Sequence, residues 1–381
     1  MQINLLALLF GFVALIGLSS CTDESPIAPS QPTSITSLLG NQNSAGFSSA
    51  TAPREFNFPA DHGSHPEFRT EWWYWTGNLM TTDGRAFGYQ FTIFRFALAP
   101  TLAPTFTTTP AASTVAPRTS AWATTHTWLA HLTLSDISSN KFYAFERSAR
   151  GAVDLAGAVS DPFRVHCDGW EVAGTPMHMQ ADAGEIAIDL KLDLGKPVVL
   201  QGDHGLSRKG AAPDAASYYY SLPRMPTSGT LRIGERAFAV QGNSWMDREW
   251  STSSLEPGVV GWDWFALQLA DGRDVMFYRL RRSNGSATEF SGGSIVAQNG
   301  SVTRLTSADI AITSTATWTS RTGVTYPAGW QLRAADLNLV ITPRLPDQEL
   351  NLTVRYWEGA VAISGSQTGV GYVELAGYDE K

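Results

Sequence analysis

The chain has 381 residues, 43% of them hydrophobic and 16% charged, enough for two domains with cores of their own and too apolar for a disordered protein. A net charge of -8 leaves no basic face for nucleic acid, which is therefore not expected as a partner. Thirteen Trp, eleven Tyr and eighteen Phe beside 34 Gly favour antiparallel sheets with tight turns over helices.

Residues 5–18 form an apolar run, short for a membrane span and suited to the h-region of an export signal. The run ends in Leu18-Ser19-Ser20-Cys21, which resembles a bacterial lipobox, where cleavage before the cysteine exposes an N-terminus that carries acyl chains. A lipoprotein signal peptide over 1–20 and a lipidated, flexible tether over 21–53 are expected, the tether being rich in Ser, Thr, Pro, Gln and Asn. On this reading the protein sits in the cell envelope, held to a membrane through Cys21. A plain signal peptide with an incidental cysteine is the alternative, and 1–4 holds no Lys or Arg. Cys167 would then be the one ordinary thiol, so no intrachain disulfide is expected and stability must come from the core.

His62 and His65 precede the first strand signal, but no cysteine or third histidine nearby completes a metal set, so no metal is expected there. Trp72-Trp73-Tyr74-Trp75, then Thr82-Asp83-Gly84, then Tyr89-Gln90-Phe91-Thr92-Ile93-Phe94-Arg95 reads as a hairpin with glycine at the left-handed position of its loop. Counting outward from the loop predicts Trp75 opposite Phe91, Trp73 opposite Ile93 and Glu71 opposite Arg95. The stretch 99–121, biased to Thr, Ala and Pro, reads as a long loop within a domain. In Ala130-His131-Leu132-Thr133-Leu134 the alternation turns His131 away from both leucines, where it serves as a structural residue or positions water or a proton.

Thr230-Leu231-Arg232-Ile233-Gly234-Glu235-Arg236 opens another hairpin, and Gly242-Asn243-Ser244-Trp245-Met246-Asp247-Arg248-Glu249-Trp250 follows. As a strand, this last segment aligns Trp245, Asp247 and Glu249 on one face. Carboxylates are rarely buried without partners, so that face either meets arginines in a structural network or keeps a proton available for chemistry. The first hairpin then repeats: Trp262-Asp263-Trp264-Phe265, the turn Asp271-Gly272-Arg273, and Val275-Met276-Phe277-Tyr278-Arg279. The same count predicts Leu267 opposite Val275, Phe265 opposite Phe277 and Asp263 opposite Arg279. Residues 361–378 close the chain with a further hairpin. The repeat, the turn spacing and the lack of helical periodicity predict an all-β protein of two barrels or curved sandwiches, over 54–240 and 241–381.

Several of these segments together resemble the AttH-like secreted lipocalin-like proteins, which are related to the carotenoid 1,2-hydratases and more distantly to fungal lipocalin-like Diels-Alderases. The pieces are Phe58-Pro59-Ala60-Asp61-His62-Gly63, Glu71-Trp72-Trp73-Tyr74-Trp75, Ala130-His131-Leu132, Ser217-Tyr218-Tyr219-Tyr220-Ser221 and Ser244-Trp245-Met246-Asp247-Arg248-Glu249-Trp250. Tyr356-Trp357-Glu358-Gly359-Ala360 and Gly371-Tyr372-Val373-Glu374-Leu375 complete them. The resemblance implies two tandem lipocalin-like β-barrels packed against each other. In the hydratases the segment matching 244–250 carries an aromatic residue two positions before an acid proposed to protonate a carbon–carbon double bond, a spacing met here by Trp245 and Asp247. This chain departs from their Tyr-His-Asp-type triplet with Trp245-Met246-Asp247, and it adds Glu249.

The function expected from these residues is binding of a hydrophobic, isoprenoid-like molecule at the barrel junction. Asp247 would donate a proton to an alkene, with Glu249 and His131 as further acid–base groups and Trp245, Tyr219 and Trp262 as the aromatic wall for a cation. Hydration, isomerisation or cyclisation would follow, the work of a hydro-lyase or isomerase that needs no cofactor. The alternative is a carrier that holds a lipid in the same cavity with the acids as structure. A hydrolase finds no support, since no Gly-Xaa-Ser-Xaa-Gly elbow surrounds any serine.

Overall fold

The computed structural model describes residues 33–34, 44–100, 120–253 and 255–378; the expected signal peptide, most of the tether with Cys21, and the core of the 99–121 loop lie outside them. Thr70–Met80 (β1), Ala86–Ala97 (β2) and His126–Asp136 (β3) form a meander that Lys141–Arg150 continues. Ala216–Ile233 (β4) and Arg236–Ser251 (β5) form a long hairpin about Gly234, and β5 pairs with β1. From β4 the sheet runs on through Ile186–Leu192, Met177–Asp182, Trp170–Ala173 and Phe163–Cys167 to Ala156–Ser160, so that 13 strands curl into one nearly closed barrel.

The second barrel has 11 strands and is built around two hairpins, Val259–Leu269 (β6) with Asp274–Arg282 (β7), and Val354–Gly365 (β8) with Gly369–Ala376 (β9), joined by pairing of β6 with β9. The all-β fold of two packed lipocalin-like barrels is therefore as expected. Both counted hairpins hold their register: Glu71 faces Arg95 across Trp73–Ile93 and Trp75–Phe91, and Asp263 faces Arg279 beside Phe265–Phe277. Gly84 takes φ +86° in the first turn, a conformation that side chains resist, which is what the loop chemistry required.

One boundary differs. The expected change of domain at Val240 falls inside β5, which pairs with β4 from Arg236 to Ser251 and with β1 from Gln241 to Ser251, so the acidic segment belongs to the first barrel and the crossing to the second lies after Ser251. The composition shift near Val240 marks a change of burial along one strand, exposed in its first half and buried in its second.

Each barrel fills its lumen with the inward residues of its strands. Trp73, Trp75, Phe91, Leu132, Leu190 and Met246 belong to the first core, and Phe265, Leu267, Val275, Trp357 and Leu375 to the second. The alternate residues face outward, and where the barrels meet those outward residues are also large: Tyr74, Tyr219, Trp245, Trp264, Tyr278 and Tyr372 form a cluster of their own. Close approach of the barrels depends on Gly88 of β2, where a Cβ would stand 2.6 Å from the Cβ of Ala360. A bulge between Leu222 and Met225 frees Arg224 from the ladder, and its Nη2 donates to Asp274 Oδ1 at 2.7 Å in the second barrel.

Charge pairs continue the inward row of each hairpin beyond its aromatic ladder. Glu71 accepts hydrogen bonds from Arg95, Arg248, the Ser64 hydroxyl and the His65 amide, and Asp263 pairs with Arg281 at 2.9 Å and Arg279 at 3.3 Å. Burial opposes ionisation of Glu71, but the two guanidinium groups outweigh it and hold its carboxyl well below the usual range. His65 bonds Asp61 at 3.0 Å and stacks on Trp250 at 3.8 Å, so this histidine belongs to the charged plug.

Candidate functional site

The outward faces of the two barrels enclose a cleft of about 760 Å³, mouth included, lined by Asp247, Glu249, Tyr219, Lys209, Tyr74 and Trp72 from the first barrel and by Trp262, Trp264, Tyr278, Tyr356 and Glu374 from the second. Period-two alternation places them there. On β1 Trp73 and Trp75 turn into the lumen while Trp72 and Tyr74 turn out; on β6 Phe265 and Leu267 turn in while Trp262 and Trp264 turn out.

Asp247 lies near the floor, 4% exposed. Its Oδ1 accepts from Ser221 Oγ and from Trp245 Nε1, both at 2.6 Å, and its Oδ2 accepts from Tyr219 OH at 2.5 Å. None of these partners carries a charge. Burial pushes the carboxyl up to about 7; the three hydrogen bonds oppose that shift and the charge of Glu249 adds to it. The neighbouring acid is in a different state of pairing: Glu249 accepts from Ser217 Oγ, and Lys209 Nζ stands 3.4 Å away. Burial works against the charge on Lys209, yet Glu249 and the other acids hold its ammonium above the usual range, and it rests 3.9 Å from the ring centre of Tyr278.

The arginine network weighed as the alternative for these acids lies elsewhere. Arg248 points to the opposite face of β5, into the lumen plug, where it pairs with Glu71. The cation on the acidic face is a lysine, and it serves Glu249. Asp247 is left as a buried acid without an ion pair among the described residues.

Of the residues expected from the sequence, Asp247, Glu249, Tyr219 and Trp262 meet in the cleft. Trp245 stands one layer behind, its indole N–H on Asp247 and its ring packed edge-on to Trp264 at 6.2 Å, so it orients the acid rather than forming the wall. His131 is also one layer behind: fully buried, its Nδ1 lies 2.7 Å from Tyr356 OH, and its Nε2 is 3.9 Å from Glu146. Burial lowers its pKa to about 3, so the ring is neutral. Cys21 lies outside the described residues, and Cys167 is a buried thiol that burial pushes up to about 12.

Lys209, Trp264, Tyr74, Tyr278, Tyr356 and Glu374 were not singled out as site residues from the sequence. For Glu374 a signal was present: in Val373-Glu374-Leu375 an acid alternates with two core residues, so it had to face outward. Lys209 gave none, since it arrives from a short strand, Leu206–Arg208, whose place beside β4 has no sequence signature. Among the described residues no group of three or more His, Cys, Asp or Glu is placed to hold a metal ion.

The AttH-like family model matches residues 49–378. The crystal structure of an AttH protein from Nitrosomonas europaea is 33% identical, covers 86% of this chain and 99% of its own, and superposes with a TM-score of 0.74. Kievitone hydratase from Nectria haematococca, at 15% identity, covers 90% of this chain and 98% of its own with a TM-score of 0.63, a likeness of fold. No curated protein matches the sequence.

Proposed function

The chain belongs to the AttH-like family, and we propose that it holds a hydrophobic, alkene-bearing molecule between its barrels and protonates it through Asp247. The observation that carries this reading is a carboxyl buried among aromatic rings, hydrogen-bonded only by neutral donors, and raised to about 7 by its burial. An acid in that state is half protonated near neutral pH, the condition under which a general acid works best. Proton transfer to an alkene carbon leaves a cation, and the faces of Trp262, Trp264, Tyr219 and Tyr278 can stabilise it by about 2 kcal/mol or more once water is excluded. The fold shared with a protein named as a hydratase is consistent with this chemistry, and hydration, isomerisation or cyclisation are its outcomes.

Trp245, Ser221 and Tyr219 fix the carboxyl against the rings, and Lys209 neutralises Glu249, so that the cleft's single unpaired acid on this strand is Asp247. A carrier is the second reading, favoured by the full set of hydrogen bonds on Asp247, which a structural carboxyl would also make. We further propose that Cys21 is acylated and tethers the barrels to an envelope membrane. Mass spectrometry of small molecules extracted from purified wild type and Asp247→Asn tests the enzyme against the carrier. An enzyme yields a product-like molecule from the wild type and its alkene precursor from the variant; the same molecule from both contradicts proton donation.

A further inference from the structure

The closing hairpin sets Glu358 of β8 directly opposite Glu374 of β9. Their neighbours Trp357, Val361, Val373 and Leu375 fill the lumen of the second barrel, so both acids face the junction between the barrels. Glu358 is fully buried; its Oε1 accepts from Tyr74 OH at 2.8 Å, and its Oε2 meets no donor among the described residues. Glu374 lines the cleft, and its Oε1 accepts from Trp262 Nε1 at 2.6 Å. The groups facing the pair are Tyr74, Tyr356, Tyr372, Asp247 and Glu249, and the cation of the cleft, Lys209, is engaged by Glu249.

Adjacent carboxyls, one of them fully buried and neither paired with a cation among the described residues, resist ionising together, so the pair retains a proton. The oxygen of Glu358 that lacks a donor is the place for it, and the two carboxyls interact directly. Burial, and then the charge of Glu374, hold Glu358 well above the usual carboxylate range. Burial also raises Glu374, to about 7, against the Trp262 hydrogen bond and with help from the charges of Asp247 and Glu249.

We propose that Glu374 is the second acid–base group of the cleft, supplied by the opposite barrel to Asp247, with Glu358 as its proton-sharing partner. This rests on the reading of Asp247 as proton donor to an alkene. Asp247 gives its proton to one alkene carbon, forming a C–H bond and leaving a cation; water then bonds to the cationic carbon as Glu374 accepts the proton that water releases. The sum is addition of one water across the double bond, and the cleft resets when that proton passes from Glu374 to Asp247. Loss of a proton from a carbon beside the cation, to the same Glu374, gives isomerisation instead. Glu358 does not touch the substrate; it is a positioning residue whose retained proton bonds Glu374 and favours the ionised form that accepts a proton.

Infrared spectroscopy of the protonated carboxyl band in the full chain tests the pair without any ligand. From about pH 5 to 9 the wild type should lose a component near neutral pH that halves in Glu374→Gln and in Asp247→Asn, while a protonated remainder persists at the alkaline end. Glu358→Gln, whose amide can still accept from Tyr74 and donate to Glu374, should abolish that remainder and leave the neutral titration in place. A band wholly lost by about pH 9, or a neutral titration unaltered by Glu374→Gln, would overturn the assignment. Incubation with geraniol in deuterium oxide reads the chemistry: exchange at positions beside the double bond should fall about 10²-fold or more in either Asp247→Asn or Glu374→Gln. Wild type that leaves geraniol unlabelled while the infrared pattern holds would count against alkene protonation and not against the pair; full exchange in Glu374→Gln would remove Glu374 from the reaction.

Discussion

Trp245 donates its indole N–H to Oδ1 of Asp247, two residues along the same strand, at 2.6 Å. Period-two spacing lets one strand supply both the acid and the group that orients it. The bond also explains why the indole is absent from the cleft wall: its polar edge is turned along the strand towards the carboxyl, and its ring packs behind Trp264.

Asp247 should make the protein less stable as pH rises. Its folded pKa, about 7, lies above its unfolded value, so its contribution is full below about pH 4 and is lost as pH climbs through 7. Asp247→Asn keeps an oxygen to accept from Ser221 and Trp245, can donate to Tyr219 OH once that hydroxyl turns, and removes that loss, which amounts to roughly 4 kcal/mol at full ionisation. Calorimetry should find the variant close to wild type at acid pH and more stable at about pH 8. An Asn variant that melts below wild type at both values would instead mark Asp247 as an ionised structural partner.

Glu71 carries the opposite sign. Its folded pKa lies below the unfolded one, so its stabilisation is present at neutral pH and fades as pH falls through the acid range. Glu71→Gln leaves Arg95 and Arg248 buried with no counter-charge and should cost about 3 to 5 kcal/mol at neutral pH, read by denaturant unfolding. A neutral effect would show that the plug is not held by charge.

Gly88→Val tests the junction without touching the acids. Its Cβ would stand 2.6 Å from that of Ala360, and the barrels must part to admit it. Fluorescence of the cleft tryptophans should become more accessible to a neutral quencher, with each barrel still folded by circular dichroism. Unchanged quenching would mean that the junction yields elsewhere.

Cys21→Ala should move the protein from the membrane to the soluble fraction with the barrels intact, in keeping with the proposed anchor. Unacylated, soluble wild-type protein would defeat that reading.

The hairpins were legible because each is local: an Asp-Gly turn flanked by aromatic ladders sets a register that can be counted, and Glu71–Arg95 and Asp263–Arg279 stand where the count put them. The facing of Asp247 and Glu249 was legible for the same reason. What the sequence withheld was non-local. Lys209 and Glu249 are brought together only by β4, which pairs with both of their strands, so the cation that separates the two acids into a paired and an unpaired one could not be counted out from any turn. The division at Val240 failed because β5 serves two environments along one unbroken strand. Glu374 alternated correctly with core residues, but its partner across the cleft lies on another barrel, and no periodicity reports that.

Proton donation to an alkene depends most directly on the charge state of Asp247. Nuclear magnetic resonance of the full chain labelled with ¹³C at aspartate side-chain carboxyls, with the Asp247 signal identified by its loss in Asp247→Asn, measures that state residue by residue. A midpoint near 7 is the predicted result. A midpoint in the ordinary range, at or below about 4, would leave Asp247 ionised at neutral pH and contradict its role as the proton donor.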